Sequence, residues 1–291
     1  MIFSSIKKYS LTLRIHHWLK NLLVFSPLIL AHQFDYDSIY MAVNAFICFC
    51  LTASLIYIIN DLRDIKFDQL HSTKSLRPIA SGSISKSSIF ILIIILSILS
   101  IVLSLNINAN FSLILLSYFI LTLLYTYGLK KIIYIDLIIL TSFYIIRIIA
   151  GGFAADIAVT TWFITFSFFI FLFLATIKRI TEIQKYIDRD LIVMGKSYTK
   201  KDLKRLYTLT KLAQLTALIT LAFYIFISSG ELYSNHLYLS LSIPVFYFWF
   251  NHILSITREN NMKDDPIIFS ISDPISYISF ILIIFIFIMS I

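Results

Sequence analysis

Nine apolar stretches follow one another through this chain, each long enough as an α-helix to cross about 30 Å of hydrocarbon. They fall at about 17–34, 41–60, 89–105, 111–128, 134–153, 160–177, 206–228, 237–256 and 271–291. In lipid each backbone N–H and C=O must be satisfied within its own segment, so such runs predict helices. They occupy most of the 291 residues and leave no room for a separate soluble domain. The expected fold is therefore an all-α integral membrane protein, a single bundle of nine transmembrane helices over 1–291. The residue balance agrees, with 59% hydrophobic side chains, 14% charged, and 26 Phe.

Basic residues alternate between the connections. Lys7, Lys8, Arg14 and Lys20 precede or open the first span. The loops after the second, fourth, sixth and eighth spans carry Arg63, Lys66, Lys74 and Arg77, then Lys130 and Lys131, then a long run from Lys178 to Arg205, then Arg258 and Lys263. The intervening loops near 33–40, 106–110, 154–159 and 229–236 contain no Lys or Arg. By the positive-inside rule the N-terminus and the basic loops face the cytoplasm. The net charge of +8 then reports topology and attraction to anionic membrane lipids and substrates, not nucleic acid. No short apolar run with a small-residue cleavage site opens the chain, so no cleaved signal peptide is expected. Cys48 and Cys50 point to different faces of one helix, which argues against a disulfide or a metal pair.

Chemistry concentrates where the second span ends, in Asn60-Asp61-Leu62-Arg63-Asp64-Ile65-Lys66-Phe67-Asp68, followed by His71, Lys74 and Arg77. Asp61, Asp64 and Asp68 stand at i, i+3 and i+7, within about 60° of one another on a helix. An all-oxygen cluster suits a hard cation such as Mg²⁺. The neighbouring Lys74 and Arg77 can hold phosphate oxygens. Carboxylates beside cations at a bilayer edge read as a site for a Mg²⁺–diphosphate, with Asn60 completing or orienting the metal's ligands.

Ionisable side chains inside spans are costly unless they face a cavity or a partner. Arg147 lies mid-span, ahead of Gly151 and Gly152, and two readings fit it: an anion-binding residue lining a polar cavity, or an ion pair with an Asp of another helix. Lys20, with Asn21 beside it, either snorkels to the interface or binds a ligand. Lys178 and Glu182, at i and i+4 where the sixth span ends, share a face and form a second charged group on the expected cytoplasmic side. The two groups are expected to face one cavity. Asp265-Pro266 and Asp273-Pro274 read as a turn and a helix start without chemistry.

Taken together, these motifs resemble the UbiA-type intramembrane prenyltransferase superfamily, over nearly the whole chain. Arg14-Ile15-His16-His17-Trp18-Leu19-Lys20-Asn21, His71-x-x-Lys74-x-x-Arg77-Pro78, Tyr127-Gly128-Leu129-Lys130-Lys131 and Lys178-Arg179-x-x-Glu182 are similar to its decaprenyl-phosphate phosphoribosyltransferase branch. The resemblance implies a bacterial plasma-membrane enzyme that transfers phosphoribose from phosphoribosyl pyrophosphate to a polyprenyl phosphate, using Mg²⁺. Asp61, Asp64, Asp68 and Asn60 would serve the metal, and Lys74 and Arg77 the donor phosphates. Lys20, Asn21, Tyr127, Arg147, Lys178 and Glu182 would complete the substrate site. The chain departs from the superfamily in having Lys178-x-x-x-Glu182 where most members carry a second Asp-x-x-x-Asp. One carboxylate fewer and one cation more weaken a second Mg²⁺ site and favour an additional phosphate group.

Two other functions are compatible with the spans. One is a prenyltransferase joining a prenyl diphosphate to an aromatic or quinone-precursor acceptor, against which Lys178 speaks. The other is a transporter of phosphorylated lipids, for which the Asp61 cluster has no use. An Asp-Gly-x-x-Ala-Arg pattern of CDP-alcohol transferases is absent, as are Ser/His/Asp and zinc-type arrangements.

Overall fold

The computed structural model describes residues 2–70, 74–186, 198–228, 230, 232–263 and 265–291. Among them the regular structure is helical: α1 (Ile2–Leu13), a 3₁₀ helix (Ile15–Phe25), α2 (Ser26–Leu30), α3 (Tyr36–Gln69), α4 (Lys86–Ile107), α5 (Ala109–Tyr127), α6 (Ile135–Ala155), α7 (Thr161–Tyr186), α8 (Leu203–Phe223), α9 (His236–Ser240), α10 (Ser242–Arg258), α11 (Pro266–Ser272) and α12 (Pro274–Ser290). His71, Asp188, Arg189 and Asp190 lie outside the described residues.

The sequence predicts nine spans, and the described residues contain seven helices long and apolar enough to cross a membrane. The differences fall at the ends of the chain. The stretch expected as the last span breaks into α11 and α12, bent by 81°. Pro274 supplies no N–H and holds Asp273 in an extended conformation (φ −88°, ψ 123°), so the helix stops and restarts there. Asp273 caps the new start, accepting the Ser276 N–H at 2.8 Å, and Asp265 caps α11 in the same way. The stretch expected as the first span is an eleven-residue 3₁₀ helix leading into the five-residue α2. A 3₁₀ run of that length is unusual, and it spans more distance per residue than an α-helix does.

The helices group into two compact units, residues 1–127 with 146–159 and residues 128–145 with 160–291. In the first, α3 is the central element and packs against α4, α5, α1 and the 3₁₀ helix. Small side chains line the α3–α4 seam, where Thr52 and Ser100 share a hydroxyl hydrogen bond of 2.7 Å. Small residues let backbones approach, and a hydroxyl pair satisfies both partners away from water. In the second unit α7 packs along α8 by the same device, Thr210 donating to Thr176 at 2.8 Å.

Gly151 marks a tight contact within the first unit. A Cβ built there would lie 2.0 Å from the Val24 carbonyl oxygen of the 3₁₀ helix. The obstruction is backbone and cannot rotate away, so Gly151→Ala is expected to cost about 3 kcal/mol or more. A thermal melt in detergent checks this, with Gly128→Ala, where the added carbon meets nothing within 4 Å, as the mild comparison.

Candidate active site

Asp61 and Asp68 sit two turns apart on α3, both 4% exposed. Their carboxylates converge on a single atom: Arg77 Nη1 donates to Asp61 Oδ1 at 3.2 Å and to Asp68 Oδ2 at 2.7 Å. Arg77 reaches them from the turn after Lys74–Leu76, which ends at Gly82 with φ +69°, a conformation glycine adopts without penalty. Arg14 closes the group from the other side with a short hydrogen bond to Asp61 Oδ1. Its guanidinium also lies 4.7 Å from the centre of the Tyr57 ring, one turn before Asp61.

Asp64, on the same face, is half-buried and has no ion-pair partner among the described residues. The buried Oδ1 of Asn60 has no hydrogen-bond partner among them either. The three aspartates expected to hold a metal are thus divided, two neutralised by arginines and one not. Among the described residues no three acidic, His or Cys side chains stand gathered as a metal-ligand group. The donor chemistry nevertheless fits a hard cation. Two carboxylate oxygens are close enough to share one positive group, a third carboxylate has no ion-pair partner among the described residues, and a buried amide oxygen has no donor among them. Lys74 is exposed in its turn. Tyr127 is 58% exposed, with the Arg63 guanidinium 4.4 Å from its ring centre.

Deeper in this unit, Arg147 is 6% exposed and held by neutral oxygens, donating from Nε to Asn21 Oδ1 and from Nη2 to the Tyr118 hydroxyl, both at 2.8 Å. Asn21 in turn donates to Cys50 Sγ at 3.3 Å. Asn21 is therefore an orienting partner of Arg147, whereas half-buried Lys20 precedes it on the 3₁₀ helix.

In the second unit Lys178 is half-buried on α7 and has no hydrogen-bond or ion-pair partner among the described residues. It borders a small cleft with Leu140, Tyr144, Leu174, Asp265 and Ile267 among the walls. Glu182, expected to share a face with Lys178, pairs instead with Arg179. Arg179 is 1% exposed and also grips the fully buried Asp136 with both Nε and Nη2, the latter at 2.8 Å. Burial pushes the nearby Tyr198 phenol up to about 12, and its hydroxyl accepts the Tyr134 N–H at 3.0 Å.

The model of the UbiA prenyltransferase family matches residues 22–284. The chain belongs to that family. It is an integral membrane protein built on the UbiA fold. A UbiA homologue from Archaeoglobus fulgidus, solved bound to DMAPP and Mg²⁺, shares the fold with a TM-score of 0.73 at 18% identity, over 96% of this chain and 98% of that one. Among sequence relatives, the decaprenyl-phosphate phosphoribosyltransferase of Mycolicibacterium smegmatis is 37% identical over 208 residues, 69% of this chain and 65% of the relative. The uncharacterized protein y4nM of Sinorhizobium fredii is 30% identical over 281 residues, 94% of this chain. The match spans only 54% of that relative's length.

Sequence reasoning about this UbiA member misses two arginines. Arg14 counts there as a topological charge, although it pairs with the foremost aspartate of the cluster. Arg179 is overshadowed by Lys178, although an Asp136 opening one apolar span and an Arg179 ending another are the signal for a buried pair.

Proposed function

We propose that this protein transfers 5-phosphoribose from phosphoribosyl pyrophosphate to a polyprenyl phosphate, releasing pyrophosphate, in a Mg²⁺-dependent reaction at the cytoplasmic face of a bacterial plasma membrane. The observation that carries the reading is the number of cations. Arg14 and Arg77 stand at the carboxylates, Lys178 has no partner among the described residues, and Arg147 is buried beside Asn21 and Tyr118. A donor with a diphosphate and a separate 5-phosphate, meeting an anionic acceptor, needs more positive groups than a prenyl diphosphate does. The similarity to a decaprenyl-phosphate phosphoribosyltransferase supports the same substrate class.

Asp61, Asp64 and Asp68, with the Asn60 carbonyl, would hold Mg²⁺, which when bound neutralises charge on the pyrophosphate leaving group. Lys74, Arg77 and Arg14 bind donor phosphate oxygens through guanidinium and ammonium hydrogen bonds. Arg147 and Lys178, with Lys20, serve the remaining phosphate groups, Asn21 and Tyr118 fixing the Arg147 plane. Tyr127, beside Arg63 in the first unit, and Glu182, paired with Arg179 in the second, would each contribute to substrate binding within their own unit. The lipid phosphate oxygen is anionic and attacks the anomeric carbon without a strong general base, so the side chains' main task is alignment of two anions.

The deciding experiment offers purified protein radiolabelled phosphoribosyl pyrophosphate and a polyprenyl monophosphate, with Mg²⁺ or with EDTA. A labelled lipid that forms only with Mg²⁺ is the expected result. No labelled lipid, together with prenylation of an aromatic acceptor by a prenyl diphosphate, would replace this reading with the aromatic one. Lys178→Ala is expected to raise KM for phosphoribosyl pyrophosphate between about tenfold and a hundredfold, the worth of one charge-assisted hydrogen bond.

A further inference from the structure

We propose that Arg14 is an internal counter-cation of Asp61 that makes metal and diphosphate bind as a coupled pair, suppressing capture of the metal alone. The inference rests on the metal–diphosphate reading of the α3 carboxylates, and not on the identity of the sugar donor or the lipid.

Arg14 and Arg77 bring two positive charges to Asp61 and Asp68, so this pair of carboxylates is already neutralised. A divalent cation arriving alone must displace guanidinium groups that are 18% and 31% exposed and offer them no new anion. A partly buried charge stripped of its partner is unfavourable. A diphosphate arriving with the metal changes the balance. Its oxygens accept planar N–H pairs as well as a carboxylate does, so the arginines exchange carboxylate for phosphate while the carboxylates exchange arginine for metal.

Arg14 is built for this exchange. Its backbone is left-handed (φ 51°, ψ 50°), at the junction of α1 and the 3₁₀ helix, a conformation that a long L side chain rarely adopts and that persists where surroundings enforce it. The surroundings are on α3. The Leu13 carbonyl accepts the Ser54 hydroxyl at 2.9 Å, the Trp18 indole donates to Ser54 at 3.1 Å, and Tyr57 presents its ring to the guanidinium. The head group is thereby delivered to Asp61 from an element other than the one carrying the carboxylates.

The test measures Mn²⁺ binding to the full chain in detergent from the loss of the free-ion electron paramagnetic resonance signal, with and without inorganic pyrophosphate and with no lipid present. Wild-type protein should bind Mn²⁺ weakly alone and about 50-fold more tightly with saturating pyrophosphate. Arg14→Asn supplies a neutral residue that tolerates left-handed backbone. It should tighten Mn²⁺ binding alone by about tenfold and reduce the pyrophosphate effect correspondingly. Arg14→Lys retains the charge and should leave Mn²⁺ alone weakly bound.

Three results would overturn the proposal: no pyrophosphate enhancement in the wild type, an Arg14→Asn protein with wild-type melting and unchanged Mn²⁺ affinity, or equal tightening in Arg14→Lys. Should Arg14→Asn fail to fold, Arg14→Gln makes the same neutral substitution with a longer side chain, and unchanged Mn²⁺ affinity there would equally overturn the proposal. Phosphoribosyl transfer can fail in the assay above while this coupling stands, which separates the two proposals.

Discussion

Arg179→Met is expected to destabilise the protein by about 3–5 kcal/mol, because it strands Asp136, whose side chain is 0% exposed, without its counter-ion. Glu182, 18% exposed, loses the same partner but can turn toward water and contributes less. The double variant Asp136→Asn/Arg179→Met removes both charges and should recover most of the loss. Thermal melting of the single and double variants in one detergent measures the coupling. A single variant that melts like wild type would mean that the Asp136–Arg179 pair does not support the second unit.

Asp61→Asn is expected to lower transfer by at least about 100-fold, since it keeps the side-chain shape and removes the charge that both Arg14 and Arg77 address. Asp64→Asn should lower transfer too while sparing the two arginine contacts, because no described ion pair involves Asp64. The informative comparison is melting temperature against rate. Asp61→Asn should lose both, and Asp64→Asn mostly rate. Product formation by Asp61→Asn within tenfold of wild type would remove the α3 cluster from the reaction.

Much of this architecture was legible because hydrocarbon enforces simple patterns. The runs at 41–60, 89–105, 111–128, 134–153, 160–177, 206–228 and 237–256 each fall, to within one residue, on a helix or a closely joined pair that is long and apolar enough to span. Asp265-Pro266 and Asp273-Pro274 were readable as a turn and a helix start, since a capping carboxylate before proline has a local cause, but the break at Asp273 inside the stretch 271–291 was not. Local patterns do not reveal partners across the fold. Spacing puts Asp61 and Asp68 on one face, but it cannot say that Arg77 bridges them or that Arg14 arrives from before the 3₁₀ helix. Likewise Lys178 and Glu182 have ideal helical spacing, and Glu182 turns to Arg179 because Asp136 has already drawn that guanidinium into the interior. The 3₁₀ segment was missed for a different reason: its hydropathy is that of any span, and only packing against Gly151 distinguishes it.

The length of α3 sets a ruler against the bilayer. Its 34 residues measure roughly 50 Å, about 20 Å more than the hydrocarbon is thick. With the apolar stretch 41–60 filling the oily layer, Asp61 falls at the waterline and Asp68 a further two turns out. On the proposed function, a soluble, highly charged donor would dock there, and its pyrophosphate depart, without either dissolving in lipid. Deleting one turn from the apolar stretch would drag the carboxylates below that waterline, disabling the reaction through lost hydration while every reacting group stayed in the sequence.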